Sequence, residues 1–249
     1  MTETVYGIHA VSSWLKSRAS RAERLLVRES GDSRRLQEVV QLAEQVGCSV
    51  ERVPGEVLDQ LAKANHQGVV LKIRPGGELG EKDLEALLAV RTVAGQPPLL
   101  LVILDGITDP RNLGACVRSA AAACADAVIL PRRNSAEMNP AAHKTASGGA
   151  DLVPVYRVTN LGRTMDYLKS LGIWVTGTIP GASTDITQVD LRGHSALVLG
   201  SEGSGMREGI RKRCDYLATI PMPREAFSLN VSVAAGIVLF EAIRQRRTD

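Results

Sequence analysis

Five short apolar runs in the second half of the chain, residues 99–104, 127–130, 173–178, 196–200 and 217–220, constrain the fold more than any other feature. They are close to continuous rather than alternating, so both faces of each strand have to be covered. Strands of that kind belong to a parallel sheet clad in helices. Helical patterns at 113–123, 141–147, 161–171 and 228–244 fall between or after the runs. This alternation predicts an α/β domain over residues 99–249, with its ligand site beyond the carboxyl ends of the strands.

The preceding residues differ in texture. Leu36, Val39, Val40 and Ala43 recur at helical spacing, Gly47 stands where a C-cap would end that helix, and strands are expected at 50–53 and 67–73. Residues 1–75 therefore read as a small α/β domain. Pro75, Gly76 and Gly77, a charged stretch over 78–85, and the string Gly95-Gln96-Pro97-Pro98 mark residues 76–98 as a linker holding one helix.

Composition narrows the functional classes. Only 3% of residues are aromatic, so the core is built from aliphatic side chains and nucleic-acid binding through a broad platform of stacked rings is excluded. A net charge of +3, from 30 basic and 27 acidic residues, is too mild to identify a nucleic-acid partner alone. The basic residues do cluster, at 16–28, at Arg34 and Arg35, at Arg132 and Arg133, and at 207–213 and 244–247. The plain alternative for each cluster is a solvated face. Four cysteines without a C-x-x-C pair and four histidines without H-E-x-x-H argue against a metal site. Residues 1–16 lack the pattern of a secretion signal, and no apolar run approaches the roughly 20 residues of a spanning helix, so a cytoplasmic protein with no membrane partner is expected.

Three loops follow strands and carry more glycine and polar residues than a connection needs. The first, Asp105-Gly-Ile-Thr-Asp-Pro-Arg-Asn-Leu-Gly114, leads into a helix bearing Arg118; with a helix start at 110–112, Asn112 and Arg118 lie about one and a half turns apart and both can face the site. The second is Gly200-Ser-Glu-Gly-Ser-Gly-Met206, where glycines allow close backbone approach and Glu202 puts a carboxylate at a strand end. In the third, Ile220-Pro-Met222 precedes Ser228-Leu-Asn-Val-Ser-Val-Ala234, with Ser228 expected to cap the last helix and Asn230 to sit in its first turn. Each also admits a plain reading as caps, turns and an amphipathic helix.

Together these stretches resemble the three motifs of the SpoU branch of the SPOUT methyltransferases: Asn112-x-Gly114-x-x-x-Arg118, Leu199-Gly-Ser-Glu-Gly-Ser-Gly-Met206, and Ile220-Pro-Met222 with residues 228–234. Tyr6-Gly-Ile-His-Ala10 and His66-Gln-Gly68 are similar to the family's substrate-binding domain, so the resemblance covers nearly the whole chain. It implies a catalytic domain with a deep trefoil knot, a topology that physics alone would not suggest, and an N-terminal domain like L30e and L7Ae. It implies S-adenosylmethionine as methyl donor, held near Thr178, Gly200, Ile220 and Leu229, and a homodimer with the site near the subunit interface. Asn112, Arg118, Glu202, Ser228 and Asn230 match the functional positions, without a metal. The substrate implied is the ribose 2′-hydroxyl of a guanosine in 23S rRNA or its ribosomal precursor. Two departures stand out: Arg224 replaces a frequent glycine, which opens the path of residues 223–227, and Cys124 stands where a helix-ending glycine is common, at a cost on the order of 1 kcal/mol if its φ is positive.

Methyl transfer from a sulfonium needs in-line alignment and an exit for the hydroxyl proton. A guanidinium is a poor base, so Arg118 is expected to orient the substrate or bind phosphate, with the proton leaving to water or through Asn112, Glu202 and Ser228. A Rossmann enzyme fails at 107–112, where the glycine-rich turn is missing. A non-catalytic ribosome-assembly protein, and a methyltransferase acting on tRNA or another rRNA site, stay open at this point.

Overall fold

The computed structural model describes residues 3–18, 22–30, 33–62, 65–73, 79–222 and 228–247. Pro75, Gly76, Gly77 and the 223–227 loop with Arg224 lie outside them. The chain divides into two compact units, Met1–Gly77 with Glu85–Leu88, and Glu78–Leu84 with Ala89–Asp249.

In the first unit the order is β1 (Glu3–Tyr6), α1 (Ile8–Arg18), β2 (Ala22–Arg28), α2 (Arg34–Gln45), β3 (Ser49–Val53), α3 (Gly55–Leu61) and β4 (Val69–Ile73). The sheet runs β1-β4-β2-β3, with β2 and β3 parallel and the other pairs antiparallel. Helix α2 forms because Ser33 caps it, accepting from the Leu36 amide, and because Leu36, Val39 and Ala43 share one buried face. Gly47, at φ 72°, then turns the chain. The last strand starts two residues later than expected, since Gln67 and Gly68 hold positive φ in a tight turn. Strand β2 was hidden in sequence inside a basic cluster: Leu25, Leu26 and Val27 are buried between charged ends. The two N-terminal motif stretches meet here, the Ile8 amide donating to Gln67 Oε1 at 3.0 Å and the Gly7 amide to the Val69 carbonyl at 3.3 Å.

Helix α4 (Glu81–Arg91) is divided between the two units, and the second unit contains β5 (Leu100–Asp105), α5 (Pro110–Ala122), β6 (Ala127–Pro131), α6 (Pro140–Ala146), α7 (Gly149–Leu152), β7 (Val155–Val158), α8 (Leu161–Ser170), β8 (Trp174–Thr178), β9 (Thr184–Asp185), β10 (Ser195–Gly200), α9 (Glu208–Arg211), β11 (Tyr216–Thr219) and α10 (Val231–Arg246). Its seven strands pair in parallel in the order β7-β6-β5-β10-β8-β11-β9. The five apolar runs are all strands of this sheet, and every residue of β5 is buried. Strands β7 and β9 carried no apolar run; β7 contains Arg157 and β9 has two residues.

Helix α5 begins as its sequence dictates, with Asp109 accepting from the Arg111 amide and Pro110 in the first turn. Gly114 lets α6 approach, because a Cβ there would run into the Ala142 carbonyl. The helix ends in a left-handed turn at Cys124, φ 51°, with the Ala125 amide reaching the Ala120 carbonyl at 2.9 Å and the Cys124 amide the Ala121 carbonyl at 3.1 Å. These bonds absorb the cost of the missing glycine. One expectation is corrected: Asn230, not Ser228, caps α10, its side chain accepting from the Ser232 amide. Its oxygen lies within reach of that amide, two residues into the chain, whereas Ser228 is two residues too early. Among the described residues no helix is long and apolar enough to cross a membrane.

Candidate active site

The loops after β8, β10 and β11 and the entry to α10 enclose a cavity of about 350 Å³, lined by Thr178, Gly200, Met206, Ile220 and Leu229 among others. This is within the range of small-molecule sites. The β10 loop folds back on itself, Ser201 and Gly205 exchanging backbone hydrogen bonds of 3.1 and 3.0 Å. Gly200 is required by that turn: a Cβ on it would collide with the backbone of Gly205 and Met206. Thr178 lines the cavity, and its Oγ1 is buried without a hydrogen-bond partner among the described residues, an exception to the usual pairing of buried polar groups.

The motifs, far apart in sequence, converge on one carboxylate. Asn112 Nδ2 donates to Glu202 Oε1 at 3.0 Å, the Val231 amide donates to the same oxygen at 3.3 Å, and Asn230 Nδ2 donates to it as well. Asn230 Nδ2 also reaches Asn112 Oδ1 at 3.1 Å, while its own Oδ1 accepts from the Ser232 amide at 2.9 Å and the Ser232 hydroxyl at 2.6 Å. The capping of α10 thus orients Asn230 toward Glu202. A second cavity, about 390 Å³, adjoins the first and is lined by Gly106, Thr108, Asp109, Asn112, Glu202 and Val231. Glu202 lines both. Behind it, burial foremost and the Glu202 charge next push the Cys116 thiol up to about 12, so Cys116 is no nucleophile here.

Other expected residues fall differently. Thr178, Gly200, Ile220 and Leu229 all line the first cavity, and Ser228 does too. Arg118 lines neither cavity; it is exposed on α5, with Gly149 close to its backbone. Sequence reasoning missed the pair beneath the site. Asp105, with no exposed surface, accepts from the Arg207 amide at 2.9 Å, from Nε at 2.8 Å and from a terminal guanidinium nitrogen at 2.6 Å. It ties the end of β5 to the far end of the β10 loop. Its one sequence signal was an acid ending an otherwise apolar run.

Residues 99–240 match the SpoU rRNA Methylase family and residues 4–77 match the RNA 2′-O ribose methyltransferase substrate-binding family. The chain belongs to the SpoU rRNA methylase family. It is 47% identical over 247 residues to the 23S rRNA (guanosine-2′-O-)-methyltransferase RlmB of Photorhabdus laumondii, covering 99% of each chain. The Escherichia coli K12 protein of the same name is 44% identical over 247 residues, 99% of this chain and 100% of that one. Among solved structures, the SpoU methyltransferase AviRb from Streptomyces viridochromogenes in complex with the cofactor AdoMet is similar at a TM-score of 0.61 and 25% identity, over 98% of this chain and 90% of that one.

Proposed function

We propose that this protein transfers a methyl group from S-adenosylmethionine to the ribose 2′-hydroxyl of a guanosine in 23S rRNA. The observation that carries the reading is the Glu202 carboxylate, held by Asn112, Asn230 and the Val231 amide on the wall between two adjoining cavities. S-adenosylmethionine, when bound, supplies an electrophilic methyl on a sulfonium. In this reading Thr178 and the backbone at Gly200, Ile220 and Leu229, which line the first cavity, would hold it. The second cavity takes the acceptor ribose. Glu202 and Asn112 then orient the 2′-hydroxyl toward the methyl, and the proton leaves to water or through Glu202, assisted by Ser228. The sulfonium is itself the electrophile, and the converging groups are amides, hydroxyls and one carboxylate, a set that suits this chemistry without a metal.

The remaining expectations belong to the same proposal. Residues 1–75 capture RNA on an L30e/L7Ae-like domain, residues 76–98 link, and residues 99–249 form the catalytic domain with its trefoil knot; the parallel order β5-β10-β8-β11, with a cleft formed by the loops after the last three, supports that topology. The protein works in the cytoplasm as a homodimer. Val233, Ile237 and Phe240 support the dimer: they are 49%, 39% and 52% exposed at helical spacing on α10, whose opposite face packs on α5. Phe240→Asp should give a monomer by light scattering, and an unchanged mass would remove this face from the interface.

Mapping 2′-O-methyl groups on rRNA from cells with and without the protein tests the function. Loss of one guanosine methylation on 23S rRNA is expected; an unchanged 23S pattern sinks the substrate. Arg118, away from the carboxylate cluster, is proposed to hold RNA phosphate or orient the ribose. Arg118→Ala should keep S-adenosylmethionine binding and lose most methylation. Arg118→Lys, lacking the planar fork, should rescue little at any pH; activity rising toward pH about 10 would instead make this position a base.

A further inference from the structure

Two arginine clusters, at 132–133 and 207–213, are separated by some seventy-five residues in the chain and meet at a third cavity of about 460 Å³. Arg133, Arg207 and Arg213 line it together with Asn160 and Gly162 at the start of α8, and no acidic residue is among its lining residues. It lies at the carboxyl ends of β6 and β7, the same edge of the parallel sheet as Glu202. At about 4.8 Å per strand, β6 and β7 stand roughly 10–15 Å from β10.

The charges are not all compensated. Arg207 pairs with the buried Asp105, and Arg213 meets Asp166 at 3.3 Å and donates to the Gly209 carbonyl at 2.7 Å. Exposed Arg133 has no ion pair or side-chain hydrogen bond among the described residues. Arg213 is also pressed against the first turn of the ten-residue α8, where a Cβ on Gly162 would lie 3.0 Å from its Nε. Asp166 on the same helix meets the Arg213 charge and Asn160 caps the helix start, so of the three arginines lining the cavity Arg133 is the one whose charge is left for an anion.

We propose that this cavity binds a backbone phosphate of the rRNA substrate flanking the methylated nucleotide, with Arg133 as the contact whose charge is free to be spent there. The proposal rests on the rRNA reading above and adds a second point of attachment on the catalytic domain. Its position beside the active-site edge would set the path of the strand across the sheet, so it acts on RNA affinity and leaves the donor site untouched.

The test uses the full-length protein and an unmodified 23S rRNA transcript, with Arg133→Ala, Arg133→Glu, and Arg192→Glu as a control of equal charge change just ahead of the amino end of β10. Arg133→Glu should weaken RNA binding by roughly fivefold or more at low salt, and Arg133→Ala should lower the log–log salt slope by about 0.7 to 0.9. KM for RNA should rise with the dissociation constant, while kcat and S-adenosylmethionine affinity stay at wild-type values. Unchanged RNA affinity in Arg133→Glu, an equal loss in Arg192→Glu, or a parallel loss of S-adenosylmethionine binding would each overturn the phosphate cavity. Wild-type protein that binds the transcript but methylates nothing would sink the rRNA reading instead, and the binding data would still judge the cavity.

Discussion

Asp105 and Glu202 are two acids at the ends of neighbouring parallel strands, with Gly200 level with Asp105 in the register, and they are held in opposite ways. Asp105 is fully buried and bonded by one arginine through three nitrogens. Glu202 is exposed and held by two amide side chains and a backbone amide, all of them neutral. A buried carboxylate needs an opposite charge to offset its desolvation, and once paired it serves as a brace. Neutral donors fix the direction of a carboxylate without cancelling its charge, so Glu202 presents an uncancelled charge where it lines the two cavities. Two acids at one edge of the sheet, Asp105 level with Gly200 and Glu202 just beyond it, thus differ in burial and in the charge of their partners.

The largest effect that can break this contrast is expected at the brace. Arg207→Ala leaves Asp105 buried with a single backbone donor and should cost about 3 kcal/mol of stability, the low end of the range for a broken buried pair because Arg207 is itself half-exposed. Chemical denaturation measures it, and a loss below about 0.5 kcal/mol, the usual size for a surface change, would remove the distinction. Next, Glu202→Gln keeps the shape and an acceptor but removes the charge; methyl transfer should fall about 100-fold with stability nearly unchanged. A variant that unfolds early yet turns over normally would make Glu202 the structural acid. The smallest effect sharpens the picture from the side of the donors: in a double-mutant cycle on methyl transfer, Asn112→Ala and Asn230→Ala should be coupled by about 1 kcal/mol, since both bond the same oxygen and each other. Strict additivity would mean that they act separately.

The residues that converge on Glu202 were legible in the sequence. Loops rich in glycine and small polar residues after apolar runs pointed to Asn112, Glu202 and Asn230, and the glycines at 200, 203 and 205 pointed to a close backbone approach at Gly200. Arg118 was harder, because helical spacing constrains angle but not neighbours; six positions along α5 from Asn112 it turns away from both cavities. The capping of α10 was read two residues early because Ser228 and Asn230 are both good caps, and only the course of the chain chooses between them.

The sequence by itself determined five of the seven strands and most of the helices of the second unit, because a continuous apolar run or a 3.6-residue periodicity records burial locally, residue by residue. It also determined, through ordered motifs, the family to which the chain belongs. Only the tertiary structure decided which acid is buried against an arginine and which is exposed with neutral donors, and that Arg133 shares a cavity with Arg207 and Arg213. Those outcomes depend on strand order: β10 inserts beside β5 and brings residues about a hundred positions apart into hydrogen-bonding distance. Whether a charge is buried, paired or left exposed is a property of those long-range neighbours, and no local pattern encodes it.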